Sequence, residues 1–173
     1  MHATDNPSNL HPTPPLHVVL YQPEIPQNTG NIGRTCVALG AKLWIVRPAG
    51  FRLDASQLKR AGLDYWQHLN WDAVDNWEQL REAIPEARMW LLTKFAERSY
   101  HTAKFAQGDA LVFGRETSGL PDKLRSEYAD RQLSIPMPGP VRSLNLATAA
   151  GIVMYSAAEQ IGLLANDILP RKH

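Results

Sequence analysis

The chain contains a single cysteine, Cys36, so it cannot form a disulfide within itself. A lone cysteine is typical of a protein that folds in a reducing compartment, and we expect Cys36 to be a small buried residue of a helix. No apolar run is long enough to cross a bilayer, and the N-terminus lacks the apolar stretch of a signal peptide. We therefore expect a cytoplasmic protein without a membrane partner.

The chain also lacks a large net charge, because 18 Lys and Arg residues offset 17 Asp and Glu residues and leave +1. Such a balance excludes a global basic field, so any RNA contact must come from a local patch or from a surface shared in an oligomer. The six histidines are scattered, without paired spacing or cysteine partners. This pattern predicts no metal site.

Three motifs of common α/β enzymes are missing as well. The sequence has no G-x-G-x-x-G, no G-x-x-x-x-G-K-[ST] and no G-x-S-x-G. These absences weigh against enzymes that bind NAD, against P-loop NTPases and against α/β hydrolases.

What the chain does have is an alternation of apolar strand-like runs and helix-like patterns. Strands are predicted at 16–21, 42–47, 89–93, 110–114 and 131–135, and helices at 32–39, 56–60, 76–84, 121–128 and 143–161. Nearly all-apolar strands separated by helices predict an α/β fold, with a mostly parallel sheet covered by helices on both faces. The length favours one domain at 16–162, between a loose polar leader at 1–15 and a tail at 163–173.

Ligands of parallel α/β sheets bind at loops beyond the carboxyl ends of the strands. The first such loop carries Asn28, Asn31 and Arg34 around a helix N-terminus, which suits an anion such as phosphate. The alternative interpretation is that Asn28 or Thr29 only caps this helix and that Arg34 is a solvated residue. The sequence alone leaves both interpretations open.

Two later loops have a similar character. The polar stretch at 114–119 has a glycine at each end, which permits close approach to a ligand or a tight turn, and Pro121 is predicted at the first position of the next helix. The proline-rich segment at 136–140 leads to Ser143, which we expect to cap a closing helix rich in Ala, Thr and Gly. Because catalytic histidines and carboxylate pairs are scarce, these loops favour binding through backbone groups.

Three motifs stand in the order found in a known family: N-T-G-N-I-G-R at 28–34, F-G-R-E-T-S-G-L-P at 113–121, and I-P-M with S-L-N at 135–145. Through them the chain resembles the SPOUT methyltransferases. The flanking segments L-Y-Q-P-E-I-P at 20–26 and R-A-G-L-D-Y-W at 60–66 are similar to those of the small stand-alone members. Those members methylate the ribose 2′-hydroxyl of cytidine or uridine at the tRNA wobble nucleotide.

The resemblance implies a trefoil-knotted fold and a homodimer whose active site uses residues of both subunits. It implies S-adenosylmethionine as cofactor, held in the knot largely by backbone groups, and the tRNA anticodon stem-loop as partner, with no metal and no DNA. By position, cofactor contacts fall to Leu91, Thr93, Gly114, Glu116, Ile135, Met137, Ser143 and Leu144.

The resemblance also gives Arg34 the task of activating the 2′-hydroxyl. Since a guanidinium stays protonated in proteins, we expect Arg34 to clamp the adjacent phosphate rather than act as a base. Asn28, Ser143 and Asn145 complete the expected catalytic set, and the last two are suited to orient the ribose or the cofactor carboxylate.

Substrate contacts are expected from Lys94, Arg115 and Arg142 through RNA phosphates, although such residues are more often solvated surface charges. Tyr155 either meets the RNA across the dimer or packs. Two other functions remain open: methylation of another RNA, such as ribosomal RNA, and RNA binding without catalysis on the same scaffold.

Overall fold

The structure, a computed structural model, describes residues 13–54 and 64–165. Its centre is a six-stranded sheet in the order β3-β2-β1-β5-β4-β6, in which every neighbouring pair is parallel. The strands are β1 (His17–Tyr21), β2 (Lys42–Val46), β3 (Trp71–Val74), β4 (Met89–Leu92), β5 (Ala110–Phe113) and β6 (Gln132–Leu133). The predicted α/β class with a parallel sheet is therefore confirmed.

Among the described residues, four α-helices cover the two faces of the sheet: α1 (Pro26–Leu39), α2 (Trp77–Ala83), α3 (Asp122–Glu127) and α4 (Leu146–Gln160). Because successive side chains of a strand point to opposite faces, Val18 packs in the core under α1 and α4, whereas Val19 packs in the core under α2 and α3. This two-sided burial explains why the central strands read as continuous apolar runs.

The edge strands account for the differences from the predicted sheet. β3 was not predicted, because its four residues are partly exposed and pair only with β2, so they lack the apolar run of a central strand. The strand predicted at 131–135 is reduced to Gln132–Leu133, which pair with β4. The helix predicted at 56–60 lies outside the described residues.

Helix starts account for the remaining corrections. α1 begins at Pro26 with Ile25 as its N-cap, so Asn28 and Thr29 lie inside the helix and do not cap it. Pro121 occupies the N-cap of α3 rather than its first position. Ser143 was predicted as the N-cap of the closing helix, but α4 begins at Leu146 and its cap is Asn145.

One sequence expectation about the core is confirmed, and one residue assigned to the loose leader packs against the fold instead. Cys36 is fully buried in α1, and burial raises the pKa of its thiol, so it behaves as a small core residue. Pro15, at the end of the predicted leader, is buried, and its carbonyl accepts a hydrogen bond of 2.8 Å from the backbone N–H of Gly108.

A histidine lies in the core at the start of β1. His17 is 8% exposed, and its Nδ1 accepts a hydrogen bond of 3.0 Å from the indole Nε1 of Trp44. Burial, reinforced by the positive charge of Lys42, lowers the pKa of His17 to about 4. Protonation of Nδ1 would remove the acceptor of this hydrogen bond, so the fold requires the neutral imidazole.

This histidine makes stability depend on pH. The unfolded chain takes up a proton near the ordinary pKa of 6.5, whereas the folded chain does so near 4, so stability is full above pH 6.5 and falls as the pH drops towards 4. We expect His17 to account for a loss of up to about 3 kcal/mol across this window. Urea unfolding at several pH values measures it, with His17→Gln as the control. Equal pH dependence in both proteins would contradict the assignment.

Candidate functional site

A cavity of about 510 Å³ opens at the carboxyl ends of β4 and β5. The start of α1 and the segments that follow β4, β5 and β6 form its walls. Its lining residues are Ile25, Asn28, Leu92–Phe95, Phe113–Leu120, Leu133, Ile135, Met137, Arg142–Leu146 and Ala149. The cavity therefore lies at the edge where parallel α/β sheets bind ligands.

The loop after β5 folds back on itself. The backbone groups of Arg115 and Gly119 exchange two hydrogen bonds, of 3.0 and 3.2 Å, and Gly119 has φ +67°. A Cβ at Gly114 would lie 2.3 Å from the carbonyl carbon of Gly119 and 2.4 Å from the nitrogen of Leu120. The turn requires Gly114 because backbone atoms occupy the space that a side chain there would need. It favours glycine at position 119 because of the positive φ.

The carboxylate of Glu116 joins this loop to the start of α1. Its oxygens accept hydrogen bonds from the backbone N–H of Glu24 at 2.8 Å, from that of Ile25 at 3.1 Å and from Nδ2 of Asn28 at 3.4 Å. The first N–H groups of a helix have no partner within the helix, and a negative charge there is favourable. Glu116 therefore does the work of a cap from a distant loop.

A second contact runs in the opposite direction between the same two loops. The carboxylate of Glu24 accepts hydrogen bonds from the backbone N–H of Thr117 at 3.0 Å and from its hydroxyl at 2.9 Å. These bonds, first the backbone one and then the hydroxyl one, lower the pKa of the Glu24 carboxyl below its usual range. The two loops are consequently held by charged acceptors on both sides.

Asn28 and Asn145 extend the contact to the start of α4. Oδ1 of Asn145 accepts from the backbone N–H groups of Ala147 at 2.9 Å and Thr148 at 3.3 Å, while its Nδ2 donates to Oδ1 of Asn28 at 2.9 Å. Asn28, which is 5% exposed, then donates through its own Nδ2 to Glu116. Three segments that are distant in sequence thus meet in one polar network.

Most of the predicted cofactor residues lie together around this network. Thr93, Gly114, Glu116, Ile135, Met137, Ser143 and Leu144 all line the cavity. Leu91 does not, because its side chain is fully buried in the core under α2 and α3, and the next residue, Leu92, lines the cavity instead.

The predicted catalytic residues are divided. Asn28, Ser143 and Asn145 line the cavity, and the amides of Asn28 and Asn145 are engaged with each other. Arg34 does not line it. Its exposed side chain on α1 places the guanidinium carbon 4.7 Å from the ring centroid of Tyr65, a cation–π contact.

The predicted substrate residues are divided in the same way. Lys94, Arg115 and Arg142 line the cavity, whereas Tyr155 lies on α4, 47% exposed and outside it. The cavity therefore carries cations on several walls, which suits an anionic partner.

Sequence reasoning missed several residues of the site. Glu24 lies in the flanking segment 20–26 and Thr117 in the motif at 113–121, but the sequence predicts no role for either, because their contact joins positions more than ninety residues apart. Phe95 was also missed, although it lines the cavity with 61% of its surface exposed. An aromatic residue directly after Lys94 was the available signal.

Neither a metal cluster nor a membrane helix occurs in the part of the chain that the structure describes. Within 13–54 and 64–165, no three His, Cys, Asp or Glu side chains are grouped so as to hold a metal ion. Over the same residues, no helix has the length and apolar character needed to cross a bilayer.

A parallel α/β sheet with a cation-lined cavity at the carboxyl ends of its strands defines a class of ligand-binding α/β proteins. Within that class the family is shown by sequence. Residues 15–155 match the SpoU rRNA Methylase family, and the chain belongs to this family.

Individual proteins similar to this chain are also described as RNA methyltransferases or as structures that concern RNA methylation. A tRNA (cytidine(34)-2′-O)-methyltransferase of Methylovorus glucosotrophus is 44% identical over 144 residues, covering 83% of this chain and 94% of the relative. A solved structure described as "Structural insights into the 2-OH methylation of C/U34 on tRNA" is 50% identical with a TM-score of 0.79, over 84% of this chain and 95% of the other. The solved structure of an AdoMet-bound rRNA methyltransferase from Sinorhizobium meliloti is 26% identical with a TM-score of 0.75, and the match covers 87% of this chain and 59% of the other.

The polar network yields a test through Asn28→Asp. The substitution replaces the donor that faces Glu116 by an acceptor, so two carboxylates would meet in a buried position. We expect the free energy of unfolding at pH 8 to fall by about 1–3 kcal/mol. The deficit relative to wild type should shrink towards pH 5, because a proton on the introduced carboxylate restores a donor.

Chemical denaturation at both pH values measures this effect. The matched control is Asn31→Asp, which places the same charge on the exposed side of the same helix. Equal stability of the two variants would show that the contact between Asn28 and Glu116 does not support the fold.

Proposed function

We propose that the protein transfers the methyl group of S-adenosylmethionine to the ribose 2′-hydroxyl of the wobble nucleotide, cytidine or modified uridine, in the tRNA anticodon loop. The observation that carries this proposal is the cavity formed by the family's three motifs at the sheet edge. The descriptions of two similar proteins, which are 44% and 50% identical to this chain over the matched residues, support tRNA as the substrate. Such a substrate implies work in the cytoplasm.

The cavity fits the cofactor in size and character. Its volume of about 510 Å³ lies within the range of small-molecule sites, and it combines apolar side chains such as Phe113 and Ile135 with a glycine-lined backbone turn at Gly114. The side-chain amides of Asn28 and Asn145 are bonded to each other and are therefore less able to bind a ligand. In this proposal S-adenosylmethionine is held instead by backbone groups at the predicted cofactor positions. A structure with bound cofactor of a 26% identical relative supports this fit.

When bound, the cofactor supplies a methyl group that its sulfonium already activates. The protein must therefore mainly align the ribose oxygen and stabilise the negative charge that develops on it. Arg34 suits the second task as a permanent cation beside an RNA phosphate, with the phosphate or a water accepting the proton. Ser143, Lys94, Arg115 and Arg142 all line the cavity, which supports a hydrogen bond from the Ser143 hydroxyl to the ribose and phosphate contacts by the three cations.

The exposed position of Arg34, away from the cavity lining of its own chain, supports a homodimer in which one subunit's Arg34 serves its partner's cavity. The proposal includes the trefoil knot of the family. The Ala- and Gly-rich start of α4 supports it, because small side chains allow backbones to approach closely. The exposure of Tyr155 on the same helix supports a contact with RNA bound by the partner.

Methyl transfer from labelled S-adenosylmethionine to an anticodon stem-loop tests the proposed function. We expect label only when the wobble nucleotide carries a 2′-hydroxyl, so a stem-loop with a 2′-deoxy wobble nucleotide is the matched control. Transfer to ribosomal RNA but not to tRNA would move the substrate to the alternative RNA. Binding of RNA without any transfer would favour the non-catalytic alternative.

Arg34→Ala tests the mechanism. We expect single-turnover methyl transfer to slow about 100-fold or more, because a charge that stabilises the developing alkoxide is lost. The affinity for S-adenosylmethionine, measured by calorimetry, should be unchanged, and the exposed Lys104→Ala is the control for removal of a surface cation. An unchanged rate would remove Arg34 from the mechanism.

Mixed dimers locate the action of Arg34. A subunit with Arg34→Ala and an intact cavity is paired with a subunit whose cavity is blocked by Met137→Trp. Activity returns if Arg34 serves the partner's cavity, since the pair then contains one complete site. Continued inactivity would place Arg34 in the site of its own subunit.

A further inference from the structure

Phe95 is the most exposed large hydrophobic residue among those that the structure describes. Its side chain is 61% exposed, compared with 57% for Val141, 47% for Tyr155, 46% for Leu164 and 42% for Ile25. It stands in the turn after β4 and lines the cavity. An exposed phenyl ring at the mouth of a polar site indicates contact with a partner, because removing such a ring from water is favourable.

The ring is held in place rather than merely left in solvent. The backbone N–H of Phe95 donates a hydrogen bond of 3.3 Å to Oγ1 of Thr93, which stabilises the turn. The guanidinium carbon of Arg125 lies 4.3 Å from the ring centroid, and that guanidinium is in turn bonded to Asp122. This support from Arg125 orients the phenyl ring before any partner arrives.

A second cation contacts the ring, and others lie in the same cavity. Lys94 Nζ lies 5.3 Å from its centroid, and Arg115 and Arg142 line the same cavity. A flat apolar face beside several positive charges is the combination that binds unpaired RNA, in which bases stack on aromatic rings and phosphates pair with Lys and Arg. A symmetric contact between two copies centred on Phe95 is less favourable, since it would bring like charges together.

We propose that Phe95 is a stacking platform for an unpaired base of the RNA substrate, beside the ribose that enters the cavity, with Lys94 on the flanking phosphate. The proposal rests on the proposed function, because it requires RNA at this cavity. It assigns to Phe95 the task of positioning the substrate, and Arg125 supports the ring from beneath.

Three substitutions separate stacking from simple apolar packing. Phe95→Ala removes the ring, Phe95→Leu keeps apolar volume without a π face, and Phe95→Trp keeps the π face. We expect the KM for the anticodon stem-loop to rise about tenfold or more in the Ala and Leu variants and to stay near the wild-type value in the Trp variant. The kcat at saturating RNA and the Kd for S-adenosylmethionine should stay unchanged in all three, as should every constant in the exposed control Leu164→Ala.

Stem-loops with single abasic loop nucleotides identify the stacked base. For each abasic RNA, the KM is measured with wild-type protein and with Phe95→Ala. We expect one loop position at which removal of the base abolishes the difference between the two proteins, because the ring then has nothing to stack on. Positions elsewhere in the loop should keep the full difference.

Several outcomes would overturn the stacking role. A Leu variant equal to wild type would reduce Phe95 to apolar packing, and a loss of affinity for S-adenosylmethionine would place the ring against the cofactor. Dissociation of an oligomer in Phe95→Ala, seen by sedimentation, would make it a contact between copies. The two proposals fail separately: absence of methyl transfer by wild type removes the proposed function, whereas an unchanged KM in an active Phe95→Ala removes only the stacking role.

Discussion

A carboxylate accepts hydrogen bonds and donates none, and the site depends on this property of Glu116. Because Glu116 can only accept, Asn28 must turn its Nδ2 towards it, and Oδ1 of Asn28 is then left for Asn145. From the other end, the backbone N–H groups at the start of α4 require Oδ1 of Asn145, which directs its Nδ2 to Asn28. The orientation of both amides is therefore fixed from two sides, and three segments of the chain take one mutual position.

In this arrangement many polar side chains of the site form hydrogen bonds within the protein. The side chains of Glu116, Asn28 and Asn145 bond each other, and Glu24 with Thr117 makes the same kind of contact at the surface. The cavity lining also contains apolar residues such as Phe113 and Ile135, together with the cations Lys94, Arg115 and Arg142. A site of this type suits a reaction in which the transferred group is already activated, since alignment and charge stabilisation then matter more than acid–base groups.

The central part of the fold could be predicted from sequence, because strands buried on both faces, such as β1 and β5, consist almost entirely of apolar residues. The edge strand β3 could not, since its exposed positions carry no such signal. The cap of α4 shows a different limit. Ser143 and Asn145 are both good capping residues, and a contact with Asn28, 117 positions away, accompanies the choice of Asn145. The motifs located the cavity walls, but the exposure of Arg34 and of Phe95 depends on tertiary structure.

The contacts that close the cavity span 88 to 117 positions of sequence. Contacts between residues so far apart in sequence are costly to form, because the chain must lose the entropy of a long loop before they contribute. Completion of the pocket therefore depends on the closure of these long loops. A chain that ended before Asn145 would lack this cap and also the fully buried residues of α4, such as Val153 and Met154, so neither the pocket nor this face of the core could be completed before the final helix is synthesised.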